Sequence, residues 1–286
     1  MKKIDRIIDS HVAPVDTFTV RRALPDAQRK SVGPWVFLDH FGLFRVKPGE
    51  DGVGPHPHAG IETVTYLLSG RNQHRDSAGH TGIVGPGGAQ WMTSGRGIIH
   101  AEAPFVENAA ENEAEMIMHG IQLWTTLPRA LKLMPPRYQR IAAGTIPEIA
   151  LPQGRVRVVA GNYASYHGPA ETLMPLLLWH VSLDAGGVFR AEIPAGFELA
   201  AYVISGAAVF EDKRAAVGQL AIFDSKEGDI GFSNGDNATL DVLLLGGAPA
   251  DGPLVFHGPF VMNSFEQVRH AERAYHTGQM GVLAEV

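Results

Sequence analysis

Two stretches of this chain repeat each other at a distance close to half its length. Residues 61–70 (Ile-Glu-Thr-Val-Thr-Tyr-Leu-Leu-Ser-Gly) align with residues 197–206 (Phe-Glu-Leu-Ala-Ala-Tyr-Val-Ile-Ser-Gly), an offset of 136 in 286 residues. Glu, Tyr, Ser and Gly are identical in the two copies, and the apolar positions largely correspond. A weaker echo sets Val84-Gly85 against Val217-Gly218. Two copies of one domain are the simplest account. The junction is expected around Pro135-Pro136 or within 142–152, giving domains of 1–135 and 136–286. Hydrophobic residues make up 45% of the chain, enough to fill two interiors.

The texture between the repeats is short apolar runs broken by Gly, Pro and Asn. Residues 63–68, 116–124, 156–160, 176–183, 200–204 and 239–245 are of strand length, and several carry the Val, Ile, Thr or Tyr that suit a pleated surface. Gly-bearing turns such as Ser69-Gly70, Ser205-Gly206 and Asn234-Gly235 punctuate them. The pattern predicts an all-β protein built of antiparallel sandwiches or barrels. One helix is expected near the end. Ser264 with Gln267 forms its capping box, Phe265, Val268 and Tyr275 its apolar stripe, and Gly278 its stop.

Composition then limits the chemistry. The chain has no Cys and 13 His, so any metal must be held by imidazole nitrogen and by oxygen. Five histidines (His56, His58, His74, His80, His100) fall within residues 51–100, together with 11 of the 33 glycines. His56-x-His58 and His100-x-Glu102 are both spaced i,i+2, which on a strand places the two side chains on one face. Two such pairs on neighbouring strands can aim three imidazoles and one carboxylate at a single point. Glu62 has the same parity as His56 and His58 and competes for the carboxylate role. Its counterpart Glu198 lacks accompanying histidines, so Glu62 is ranked second, as a support or alternative ligand. His74 and His80 read as hydrogen-bonded residues of a polar connection, with His80 within reach of the pocket mouth. The remaining histidines are scattered, and Trp91, Met92 and Phe41 read as core.

These same residues resemble the pirin family. The stretch 54–68, with His56-Pro57-His58 and Ile61-Glu62-Thr63-Val64, is similar to the first cupin motif in its pirin form. Gly79-His80-Thr81-Gly82, followed by 90–102 with Gly95-Arg96-Gly97 and His100-Ala101-Glu102, is similar to the second. The likeness extends through 21–25, 37–42 and 120–124 and resumes at 257–263, dense in the first half and thin in the second. Relative to cupins in general, His100 lies 12 residues beyond the Pro86-Gly87-Gly88 turn, and the carboxylate is Glu102 in place of the first-motif glutamate. Pirins share both departures.

The resemblance implies two tandem cupin (double-stranded β-helix or jelly-roll) barrels with a short C-terminal helix carried by the second. It implies one divalent metal in the N-terminal barrel, iron(II) first and Cu, Mn, Co, Ni or Zn as alternatives. The ligands by motif are His56, His58, His100 and Glu102, with Glu102 also catalytic. Glu192 and Pro194 stand where the second copy of His56 and His58 would be, so the C-terminal barrel is expected to hold no such metal. The implied activity is that of a quercetin 2,3-dioxygenase acting on a flavonol-like aromatic substrate and dioxygen, with release of carbon monoxide. The runner-up is a metal-containing, redox-responsive regulator that binds an unidentified protein partner. Against nucleic acid stands the balance of 24 basic and 30 acidic residues, with no basic cluster. The acidic stretch 107–115 reads as a solvated connection. The apolar runs are too short to span a bilayer and the N-terminus lacks a signal-peptide pattern, so a cytoplasmic protein without membrane contact is expected.

Overall fold

A computed structural model describes residues 1–47, 52–106, 116–211 and 213–283. The acidic stretch 107–115 lies outside the described residues. All six expected runs are strands: Ile61–Ser69, Met116–Thr126, Gly154–Ala160, Leu176–Leu183, Glu198–Ser205 and Leu240–Gly247. The run Leu176–Leu183 is buried at every position, which explains why it reads as nearly continuous hydrophobicity and shows no alternation.

The repeated decapeptides become equivalent strands. Ile61–Ser69 lies third from one edge of a seven-stranded sheet, antiparallel to both its neighbours, Ala89–Thr93 and Met116–Thr126. Glu198–Ser205 lies third from one edge of a second such sheet, between Gln219–Phe223 and Leu240–Gly247. The shared Ser-Gly also has a physical reason. Gly70 and Gly206 leave their strands with φ of +83° and +76°, a conformation that side chains rarely adopt.

Each seven-stranded sheet has a four-stranded companion. In the first barrel the companion order is Val53–His58, Ile98–Pro104, Asn72–Asp76, Thr81–Val84. In the second it is Val188–Ala191, Ile230–Asn234, Ala207–Phe210, Lys213–Ala216. Trp179, Leu199, Val242 and Leu244 of the larger second-barrel sheet pack with Phe189, Phe210, Ile230 and Phe232 of the smaller one, closing that core. Trp91 and Met92 are buried, as expected of core residues.

Neither compact unit is a contiguous half of the chain. One gathers Met1–Val12, Arg21–His40 and Gly144–Pro249; the other gathers Ala13–Val20, Phe41–Ala143 and the chain from Ala250 onward. The strand Ile4–Asp9 supplies an edge of the second barrel's sheet by pairing with Gln219–Phe223. The terminal helix Phe265–His276 belongs to the unit of the first barrel, not the second as its position in the chain suggests. The reason is apolar burial: Phe260, Met262, Val268, Ala271, Ala274 and Met280 form one cluster with Ala59, and Ile99 packs against it. The buried stripe therefore differs from the expected one. Phe265, at the first helical position, is 67% exposed.

The cap is as expected: the Ser264 hydroxyl accepts from the Gln267 backbone N–H at 3.2 Å, and Gln267 Oε1 accepts from the Asn263 N–H at 3.0 Å. Ser264→Ala is expected to cost about 1 kcal/mol, as for N-caps generally. Urea unfolding of the first-barrel transition would measure it, and an unchanged midpoint would count against the cap.

Candidate metal centre

The site is built by register. Val53–His58 runs antiparallel to Ile98–Pro104, with His56 opposite His100 and His58 opposite Ile98. Because His56 and His58 share a face, all three imidazoles meet. Their ring centroids stand 4.3 to 5.0 Å apart, and one ring nitrogen from each lies within 4.8 Å of the others. His58 and His100 are 2% and 1% exposed, while His56 is half-buried.

Hydrogen bonds fix which nitrogens face inward. His56 Nδ1 donates to the Gly54 carbonyl at 2.8 Å, and His58 Nδ1 donates to the Pro259 carbonyl at 3.2 Å. A carbonyl only accepts, so both rings carry their proton on Nδ1 and offer the Nε2 lone pair. His100 Nε2 is buried without a hydrogen-bond partner. An orphaned buried nitrogen beside two imidazole lone pairs is a donor set that fits a divalent metal ion. Burial, with His56 adding repulsion, pulls His58 down to about 3. Burial and the neighbouring histidines His56, His58 and His74 likewise hold His100 well below its ordinary value. These two rings are therefore neutral at physiological pH and able to offer a nitrogen lone pair.

Glu102 is on the same strand, two residues beyond His100, yet outside this three-imidazole group. The pairing with Val53–His58 slips between His100 and Glu102, so Glu102 sits opposite Val53. Its Oε1 accepts from the Thr65 hydroxyl at 2.6 Å and from Asn72 Nδ2 at 3.2 Å. Glu62 turns elsewhere. It is fully buried, and its Oε1 accepts from the Thr93 hydroxyl at 2.7 Å, with Arg137 3.9 Å away. Burial pushes its carboxyl up against the pull of Thr93, Trp91 and Arg137. Its counterpart Glu198 accepts from the Gly33 N–H and pairs with Arg29, both at 2.7 Å. Both copies of the repeated glutamate thus face an arginine.

Three neighbours escaped the sequence reading. His74 is no connection residue: it lies on Asn72–Asp76, 1% exposed, with Nδ1 3.4 Å from His100 Nδ1 and Nε2 3.3 Å from Asp76 Oδ2. Its ring stacks on Tyr138 at 4.5 Å and 11°. Burial pushes the Asp76 carboxyl up, but hydrogen bonds from His74 and His80 outweigh it and hold it below its ordinary value. Tyr138 is raised by burial and by Glu102, and its hydroxyl is buried without a partner. The signal was available, since His74-x-Asp76 has the same i,i+2 spacing that marks the ligand pairs.

Two paired-sheet barrels, one carrying three converging imidazoles, define a two-barrel cupin with a candidate metal centre. The family model "Pirin" matches residues 17–125, and "Pirin C-terminal cupin domain" matches 178–281. The chain is 36% identical over 257 residues to the pirin of Rattus norvegicus, covering 88% of this chain and 84% of that one. It is 36% identical over 252 residues, 87% of this chain and 86% of the other, to a Pseudomonas aeruginosa protein provisionally named a quercetin 2,3-dioxygenase. The crystal structure of a quercetin 2,3-dioxygenase from Acinetobacter baumannii superposes with a TM-score of 0.89 at 34% identity, covering 98% of this chain and 99% of that one. A bacterial pirin from Escherichia coli in complex with nickel(II) shares the fold, with a TM-score of 0.66 at 20% identity and coverage of 86% and 99%. This chain belongs to the pirin family.

Proposed function

We propose that this chain is a metal-dependent dioxygenase that opens the central ring of flavonols such as quercetin and releases carbon monoxide. The observation that carries the reading is the trio of inward-facing imidazoles, with an orphaned Nε2 on His100 and a pinned carboxylate two residues away. His56, His58 and His100 would hold one divalent ion, with Glu102 as fourth ligand. Dioxygen chemistry calls for an ion that exchanges electrons, so iron(II) leads. Copper, manganese, cobalt, nickel and zinc compete for the same nitrogen–oxygen donors. Support comes from the activity named for the relatives in Pseudomonas and Acinetobacter, and from the nickel(II) held by the Escherichia coli pirin.

When bound, the metal supplies a Lewis-acid and redox centre for the substrate's 3-oxygen and dioxygen. The chain supplies the rest. Glu102 accepts the 3-hydroxyl proton. Thr65 and Asn72 both engage its Oε1, so they fix its orientation and leave the proton to Oε2. Trp124 packs edge-on against His58 at 4.9 Å and helps to hold that ring in place. The reaction consumes one dioxygen per flavonol and expels one carbon as carbon monoxide.

Aerobic incubation of quercetin with iron-loaded protein is expected to release carbon monoxide in step with substrate loss. Absence of turnover by fully loaded protein would sink the reading for this substrate. Glu102→Gln, assayed at saturating metal, is expected to lower kcat by about a hundredfold, the lower range for a general base.

A further inference from the structure

We propose that Asp76 and His74 form a hydrogen-bonded chain that locks His100 in the tautomer presenting Nε2 to the metal, which makes His74 a positioning residue. The inference rests on the metal-holding role of His100 proposed above. It starts from a difference among the three imidazoles. His56 and His58 have their Nδ1 atoms against backbone carbonyls, which can only accept. His100 Nδ1 instead faces another imidazole, His74, at 3.4 Å. An imidazole can donate or accept, so this contact alone leaves the His100 tautomer open.

Asp76 removes the ambiguity. A carboxylate accepts, so His74 Nε2, 3.3 Å from Asp76 Oδ2, must carry a proton. The other nitrogen of neutral His74 then accepts, and His100 Nδ1 must donate to it. His100 Nε2 is left bare, buried and without a partner, facing His56 and His58. Asp76 cannot rotate away from this duty. Its Oδ1 also accepts the backbone N–H groups of Ala78 and His80, both at 3.0 Å, and its carboxylate meets His80 Nδ1 at 2.9 Å. Stacking on Tyr138 holds the His74 ring in plane. The register delivers the chain: in the pairing of Asn72–Asp76 with Ile98–Pro104, Asp76 stands opposite His100 and His74 opposite Glu102. Carboxylate–histidine pairs that support a metal-binding imidazole raise its basicity and fix its orientation, and their loss costs about 10- to 100-fold in affinity.

The test has two readouts. Nitrogen-15 NMR of the imidazoles in metal-free protein reports directly which His100 nitrogen carries the proton. Competition with a chelator measures nickel(II) affinity. In the wild type, His100 is expected to show a protonated Nδ1. His74→Phe, which keeps the stack but has no ring nitrogen, should shift His100 toward the Nε2-protonated form and weaken nickel(II) binding by about 10- to 100-fold. His74→Asn, whose Oδ1 takes the place of Nδ1 as acceptor, should recover most of the affinity. Asp76→Asn presents an amide N–H to His74, reverses the chain, and should lose affinity as His74→Phe does. An unchanged His100 tautomer in His74→Phe would overturn the proposal. So would an equal loss in His74→Phe and His74→Asn accompanied by equal falls in metal-free melting temperature, which would assign His74 to packing alone. Failure of the wild type to bind nickel(II) would strike the metal reading instead, while the metal-free tautomer would still decide for or against the chain.

Discussion

Replacing His100 with alanine is expected to remove metal binding and, with it, the entire metal-dependent rise in the first barrel's thermal stability. His100 is the imidazole on which the site converges. It lies opposite His56 and close to His58, and its Nε2 has no other occupation. A metal that binds the folded barrel and not the unfolded chain stabilises by about 4 kcal/mol at a thousand times its Kd. For the wild type that should appear as a clear upward shift in Tm on adding iron(II) or nickel(II). The variant should show none, while its metal-free melting point stays close to that of the wild type, because the orphaned nitrogen leaves with the side chain and offsets the lost packing. The exposed His270 provides the control: His270→Ala should keep the full shift. An undiminished metal-induced shift in His100→Ala would mean that the ion sits elsewhere.

Much of this site was legible because strands carry their side chains with a period of two. The spacing of His56, His58 and His100 needed one further fact, that two strands pair with His56 opposite His100, and the Gly-rich punctuation around them already favours short antiparallel strands. Glu102 was legible only in part. Its parity with His100 is right against Asn72–Asp76, but a slip of register against Val53–His58 is invisible in a sequence. His74 was misread because its polar, Gly-flanked neighbours look like a connection. Its burial is made by Tyr138, 64 residues further along (138 − 74), and no local pattern reports that. The terminal helix shows the same division. Its cap is local and was found, whereas the barrel it covers is chosen by Phe260, Met262 and Ala59, far apart in the chain.

Lys132 is the residue least visible in the sequence, and its loss is expected to be among the most damaging. It is one of 24 basic residues, yet it is 1% exposed. Its Nζ donates to the Gly60 carbonyl at 2.7 Å, the Thr126 hydroxyl at 2.7 Å and the Val261 carbonyl at 2.6 Å. Gly60 follows His58 by two residues, and Val261 follows Pro259, whose carbonyl holds His58 Nδ1, also by two. The ammonium therefore ties together both segments that flank a candidate ligand. Lys132→Met fills much of the volume but removes the ammonium donor from the Val261 carbonyl and leaves the Gly60 carbonyl with the Leu127 N–H at 3.2 Å, so a loss of about 1–3 kcal/mol is expected. Nickel(II) affinity should fall with it, because His58 loses its fixed support. The wild type should also carry a pH signature that the variant lacks. Burial pulls Lys132 down to about 7, with Asp251 pushing back, against 10.5 for an ordinary lysine. Between those values the unfolded chain binds the proton that the folded barrel sheds, so unfolded-state protonation exceeds native and stability rises with pH, by at most about 1.4 kcal/mol per unit. The penalty of burying the charge is fully present below about pH 7 and is relieved toward pH 10. Urea unfolding at a series of pH values should therefore show the gap between wild type and Lys132→Met widening from pH 7 upward. A constant gap would mean that the buried amine keeps its proton throughout, held by its three acceptors.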